Sequence, residues 1–191
     1  MTTNALILYA RAVAVANLGK HDDAQSVKSE FEAAYAIVPE ERMLFNNTAR
    51  DVLAVAEQMM LGEIAFKGGR RKEGLDHLRE AVALDDGLMY EEPWSWPQPT
   101  RHALGALLME AGDYDEAESV YRADLGLDEK LPRPSQHPRN VWALHGLHEC
   151  LVRRGEKVEL QHVKLLLDQA VARADIPILA SCLCRAGAAC H

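Results

Sequence analysis

Pairs of very small residues recur in this chain at a fixed separation of twelve positions. The pairs are Ala12 and Ala24, Gly62 and Gly74, and Gly105 and Ala117. Seven residues after the first member of each pair comes a glycine, at Gly19, Gly69 and Gly112. Two helices can cross closely where their side chains are small, and glycine ends a helix because it tolerates the left-handed backbone conformation. The pattern therefore predicts three antiparallel helix hairpins.

An altered fourth copy follows, in which Gly146 and Gly155 lie nine residues apart. We predict an all-α fold of about eight helices without strands, arranged in four hairpins near residues 4–37, 48–85, 98–126 and 139–174. The remaining residues, 175–191, are expected to form a C-terminal cap with a short helix over 175–187, because a terminal repeat must have its apolar face covered. The whole chain, 1–191, is thus predicted to be one helical repeat domain.

The third copy contains the segment LGALLMEAGDYDEAESVYRADL. At Leu104, Gly105, Gly112, Tyr114, Ala117 and Tyr121 this segment resembles the pattern of the tetratricopeptide repeat (TPR) family. A second segment, WALHGL from Trp142 to Leu147, resembles the start of another repeat. The resemblance implies a TPR-like solenoid that acts as a scaffold and binds a protein, a peptide or a second copy of the chain on its concave face. The segments NVWALHGL and ARADIPILASCLCR also resemble the C-terminal part of longer bacterial TPR proteins.

The composition limits the classes of partner. The net charge of −8 would repel a nucleic-acid backbone. No apolar run approaches the length of a membrane helix, and the N-terminal segment lacks the features of a signal peptide. We therefore expect a cytoplasmic protein that binds neither membranes nor nucleic acids, with its cysteines as reduced thiols.

One stripe on the first helix of each hairpin is predicted to face the concave side. It contains Met59, Glu63, Phe66, His102 and Met109. Methionine and aromatic residues at helical spacing are more often ordinary core. Because TPR geometry leaves this stripe partly open, the other interpretation is an apolar groove with Glu63 and His102 as polar anchors.

The segment YEEPWSWPQP, which joins the second and third hairpins, carries two tryptophans among three prolines. Proline prevents regular helix here and holds the segment extended. We expect at least one of Trp94 and Trp96 to fill the gap between the second and third hairpins. Either one, if it stays exposed, is the best candidate in the chain for a binding hot spot.

Metal or thiol chemistry is an alternative function. Its candidate residues are His145, His148, Glu149, Cys150, Cys182 and Cys184. The first three share one helix face, which suits a transition metal, but the spacing supplies no obligatory further ligand. A CxC pair alone is a weak metal signal. We therefore predict no metal and no cofactor.

The sequence contains no recognisable catalytic motif. A Gly-rich phosphate loop and a GxSxG nucleophile elbow are both missing. We predict a non-catalytic protein-binding or peptide-binding scaffold. Because the chain opens directly into helical periodicity, a further alternative is that it is the helical C-terminal region of a larger enzyme.

Overall fold

A computed structural model describes residues 1–185 of the protein, and within them the fold is all-α. The eight α-helices are α1 (Thr2–Asn17), α2 (His21–Ala36), α3 (Ala49–Lys67), α4 (Arg71–Asp86), α5 (Thr100–Ala111), α6 (Tyr114–Leu125), α7 (Val141–Arg154) and α8 (Val158–Val171). Among these helices, none combines the length and the apolar character that crossing a bilayer requires. The chain divides into two compact units, the first spanning Met1–Thr100 and the second starting at Arg101.

In the first unit, α1 pairs with α2 and α3 pairs with α4, and α1 also packs on α3. Gly62 and Gly74 lie where α3 and α4 cross. A Cβ atom on Gly74 would lie 2.7 Å from the carbonyl oxygen of Gly62, so the two backbones approach more closely than any side chain allows. Ala12 and Ala24 are likewise fully buried. The predicted close crossing of α3 and α4 is confirmed, and the paired helices α1 and α2 both bury their small residue.

The glycine turns between paired helices also follow the prediction. Gly19, Gly69 and Gly112 have φ values of 73°, 86° and 86°. L-residues with a side chain rarely adopt this left-handed conformation, which is why glycine stands at the end of each first helix.

In the second unit, the ring of Tyr121 on α6 lies between two glycines. A Cβ atom on Gly105 of α5 or on Gly146 of α7 would collide with this ring. The tyrosine is fully buried, and its hydroxyl forms a 2.5 Å hydrogen bond with Ser181 Oγ. One large side chain thus fills the space that two glycines leave, and it links three helices to the C-terminal segment.

Two parts of the secondary structure differ from the sequence-based expectation. A short antiparallel hairpin, β1 (Met43–Leu44) and β2 (Asn47–Thr48), occupies the segment between α2 and α3, where no strand was expected. Two paired residues per strand are too few to give a sequence pattern. The expected helix over 175–187 is also wrong for its described part, which has only a 3-10 turn at Leu183–Arg185. Residues 186–191 of the predicted cap lie outside the described residues.

Candidate functional site

The stripe that the sequence assigns to a concave groove is buried. Met59, Glu63, Phe66, His102 and Met109 all have almost no exposed surface. Met59 and Phe66 lie among the core side chains of the first unit, and the sulfur of Met109 accepts a 3.0 Å hydrogen bond from the Cys150 thiol in the second. This differs from the partly open stripe that TPR geometry predicts. A partner could not contact these side chains without displacing others.

Glu63 is a buried carboxyl group on α3. Asn17 of α1 donates a 2.6 Å hydrogen bond from Nδ2 to Glu63 Oε2. Burial raises the pKa of Glu63 to about 7, although the Asn17 hydrogen bond and the charge of Lys67 partly oppose this rise. Burial and the nearby charge of Glu63 also raise the pKa of Tyr9 on α1. The first unit therefore carries in its interior an acid that titrates near neutral pH.

The two tryptophans of the linker have opposite environments. Trp96 is only 5% exposed and packs edge-on against Tyr9, with ring centroids 5.3 Å apart. Its indole Nε1 is buried and has no hydrogen-bond partner among the described residues. Trp94, in contrast, is 47% exposed. Trp96 is thus buried against a residue of the first hairpin, and Trp94 stays at the surface. That a tryptophan fills the gap between the second and third hairpins stays a prediction.

Asn47 of β2 holds the start of this linker in place. Its buried side chain donates to Met89 O at 2.9 Å and to Ser95 Oγ at 2.7 Å, and it accepts from Met89 N at 2.7 Å. The amide group thus pairs with a backbone much as a neighbouring strand would. Sequence analysis missed this residue because its partners lie more than forty positions away in the chain.

Asn46 and Glu91 add further connections between the same two segments. Asn46 N donates to Glu91 Oε2 at 2.8 Å, and Asn46 Nδ2 donates to Tyr90 O at 2.9 Å. Glu91 is buried, although it stands in a stretch of polar and proline residues. These bonds order two segments that contain little regular secondary structure.

The ordered segments expose a group of large apolar side chains, which we call the loop patch. Its members are Met43, Phe45, Met89, Tyr90 and Trp94. Phe45 is 80% exposed and has a φ of 51°. A non-glycine residue in the left-handed region is strained by about 1 kcal/mol, and such strain clusters at functional sites. Sequence analysis identified only Trp94. Phe45 and Asn46 form the two-residue loop between the paired strands, and asparagine is one of the residues that such a turn favours.

His102 belongs to a polar cluster inside the second unit. Its Nε2 lies 3.0 Å from Asp124 Oδ2, and His137 Nδ1 lies 2.9 Å from Asp124 Oδ1. Burial disfavours ionisation of Asp124, but the two histidine hydrogen bonds outweigh it and lower the pKa of the carboxyl group. His102 is therefore a buried partner of an aspartate and not a surface anchor.

The residues proposed as weak metal ligands on α7 differ in their surroundings, and His145 Nδ1 is buried without a hydrogen-bond partner among the described residues. Arg185 forms a bidentate ion pair with Glu149, with N–O distances of 2.6 and 2.8 Å. Burial opposes ionisation of Glu149, yet this guanidinium lowers its pKa. His145 and His148 both have lowered pKa values, mainly because of burial. The Glu149 carboxylate is thus already neutralised by an arginine, and the structure does not join it to the histidines around a common point.

Two of the cysteines differ from the expected reduced thiols, and Cys190 lies outside the described residues. Cys182 and Cys184 are joined by a disulfide, and their Cα atoms lie 5.2 Å apart. A helix would have directed these side chains to opposite faces, but this segment is not helical before residue 183. Cys150 is free and fully buried, and burial raises its pKa to about 12. Its thiol is therefore poorly suited to thiolate chemistry at neutral pH.

Comparison of the chain with protein-family models, with curated proteins and with solved structures gives no match.

Proposed function

We propose that the protein is a non-catalytic, TPR-like scaffold that binds a segment of another protein at the loop patch. The observation that carries this proposal is the exposure of five large apolar side chains on two segments that are tied together by buried hydrogen bonds. Large apolar groups are usually exposed singly on a soluble protein, and a group of them indicates an interaction surface.

The order of the loop patch favours binding. A flexible loop loses conformational entropy when it binds, and each side chain that must be fixed reduces the affinity by about 1 kcal/mol. Asn47 and Glu91 fix the backbone beneath the patch before any partner arrives. Trp94 and Tyr90 are also of the residue types that contribute most to binding energy at interfaces.

The repeat architecture supports a scaffold role. The glycine-ended hairpins and the close Gly62–Gly74 crossing have the features expected of TPR-like units. In contrast with the sequence-based expectation, the proposed contact surface is the segments between hairpins and not the stripe from Met59 to Met109. The binding role of that stripe stays a prediction.

Selection from a displayed library of random peptides tests the proposal. The selected peptides would be measured against the wild-type protein, the double variant Phe45→Gly/Trp94→Ala and the control Ile7→Ala. Glycine suits the left-handed φ of residue 45, so the first substitution removes the ring and keeps the turn. Ile7 is an exposed apolar residue of α1, away from the loop patch in sequence.

We expect the double variant to bind selected peptides at least tenfold more weakly, since each aromatic hot spot contributes about 1–2 kcal/mol. The control should bind as the wild type does. If no peptide is enriched, or if the double variant binds enriched peptides with unchanged affinity, the proposed function is refuted.

A further inference from the structure

Carboxylate residues adjoin the loop patch along both of its segments. Glu40 and Glu41 are exposed in the turn that leads into β1, and Glu92 is exposed between Tyr90 and Trp94. The hydroxyl of Tyr90 donates a hydrogen bond to Glu92, so this carboxylate stays beside the aromatic ring. A fourth carboxylate, Glu91, lies buried beneath the patch.

Few positive charges balance this rim. The guanidinium of Arg50 donates to Val38 O at 2.9 Å and to Ala36 O at 3.3 Å, and it also lies over the ring of Tyr35. It is therefore directed toward the end of α2. Arg42 is the exposed cation in the turn itself. The rim is acidic, in keeping with the net charge of −8 for the whole chain.

Acidic groups next to exposed aromatic rings fit one kind of side chain especially well. Lysine and arginine have an apolar stem that packs on an aromatic face and a charge that the ring and a carboxylate both attract. Phe45, Tyr90 and Trp94 offer the rings, and Glu40, Glu41 and Glu92 offer the carboxylates. An anionic lipid surface has the opposite charge requirement and would be repelled.

We propose that the partner segment is cationic, with apolar side chains flanked by lysine or arginine. This inference rests on the proposed function, because it concerns the same loop patch. The apolar contacts provide binding energy, and the carboxylate rim selects among apolar segments by their charge and accelerates association.

The test uses peptides selected from the random library and resynthesised with every lysine and arginine replaced by glutamine. The rim variant is Glu40→Gln/Glu41→Gln/Glu92→Gln. Its control, Asp22→Asn/Glu30→Gln/Glu73→Gln, makes an equal change of charge at exposed residues of the same unit. Vesicles of phosphatidylcholine with phosphatidylserine are the second probe.

We expect the selected peptides to be enriched in lysine and arginine next to apolar residues. Their affinity should fall at least tenfold in the rim variant or after glutamine replacement, and should fall with added salt, while the control stays within twofold of the wild type. Peptides that depend on Phe45 and Trp94 but not on charge would overturn this inference and leave the proposed function intact. Failure to enrich any peptide would refute both. Vesicle binding that the Phe45→Gly/Trp94→Ala variant abolishes would overturn the cationic segment in favour of a membrane.

Discussion

A single buried amide organises the segments that carry the loop patch. Asn47 contacts the backbone of Met89 through both its donor and its acceptor, and it also reaches Ser95. Asn46, its neighbour, uses an exposed side chain for one bond to Tyr90 O. Removal of the partner of a buried hydrogen-bonding group lowers the free energy of unfolding more than the same change at an exposed group. Water cannot replace the lost partner at the buried site.

Replacement of Asn47 by alanine should therefore loosen the segment that carries Met89, Tyr90 and Trp94. We expect the free energy of unfolding to fall by about 2–3 kcal/mol, since the N–H and the carbonyl oxygen of Met89 would both lose their bonds to Asn47. Hydrogen exchange of the amides in residues 87–95 should become faster. The matched variant Asn46→Ala should lower the free energy of unfolding by about 0.5 kcal/mol or less. Equal protection of residues 87–95 in both variants would contradict the role of Asn47.

The residues of this surface show what the sequence could predict. The prolines of the linker indicate an irregular, fixed segment, and two tryptophans in it indicate that one would be buried. The sequence does not show that Asn47 reaches this segment, because a side-chain hydrogen bond between distant residues has no periodic signal. Nor does it show that Phe45 is exposed, because a phenylalanine is usually expected to lie in the core.

At the scale of elements, the helix pairs were predictable because they depend on local spacing. The glycine turn, the helix after it and the small residue at each crossing all lie within about twenty positions, and the hydrophobic period gives the rest. What the sequence did not reveal is the insertion of Tyr121 between Gly105 and Gly146, which belong to different hairpins. The Ser181 and Arg185 contacts with α6 and α7 likewise link distant segments.

The fit of Tyr121 gives a prediction for the second unit. We expect Gly146→Ala to lower the free energy of unfolding by about 2–3 kcal/mol, because overpacking outweighs the gain in helix propensity from alanine. The comparison is Gly112→Ala, where an added Cβ would contact no other part of the chain within 4 Å but φ is 86°. That variant should lose about 1 kcal/mol from backbone strain alone. Urea unfolding measures both, and a Gly146→Ala protein as stable as the wild type would show that the ring is not closely fitted.

The ion pair between Arg185 and Glu149 gives a second prediction at this scale. Arg185→Gln should lower the free energy of unfolding by about 3 kcal/mol, because a buried carboxylate loses its counter-charge. The double variant Glu149→Gln/Arg185→Gln should recover part of this loss, since no charge is then left unpaired. If the double variant is as unstable as the single one, packing of the arginine stem and not its charge holds the C-terminal segment.

At the scale of the whole molecule, the chain divides into two compact units. That residues 1–191 form one repeat domain stays a prediction. The repeat pattern runs through both units without a break, so spacing alone contains no signal for a boundary near residue 100. The boundary follows the proline-rich linker, where the chain leaves helical geometry between α4 and α5. The two units also contain opposite kinds of buried carboxyl group: the pKa of Glu63 is raised, and the pKa of Asp124 is lowered.

These opposite shifts predict how stability depends on pH. Asp124 has a folded-state pKa below its ordinary value of 3.8, so its contribution is present above that value and is lost as the pH falls. Asp124→Asn should remove part of the acid-induced loss of stability. The measurement is the urea midpoint between about pH 5 and pH 2.5, with Asp22→Asn as the exposed control. If the urea midpoint of Asp124→Asn falls at low pH as much as that of the wild type, the histidine-bonded Asp124 carboxylate does not contribute to the acid-induced loss of stability.

Glu63 acts in the opposite direction and in a different pH range. Its pKa is raised from 4.5 to about 7, so its protonated form is favoured in the folded state. The contribution of Glu63 to the free energy of unfolding should be fully present below pH 4.5. It should be lost as the pH rises through 7, and the total loss should be about 3 kcal/mol. In Glu63→Gln, which is neutral at every pH, that decline should disappear. The variant should then be more stable than the wild type at pH 8, while Glu30→Gln, an equal change of charge on the surface, should follow the wild type.

Urea midpoints at half-unit intervals from pH 5 to pH 8 give the comparison. Parallel curves for wild type and Glu63→Gln would mean that Glu63 ionises in the folded protein as it does in water, and that its burial is not maintained in solution.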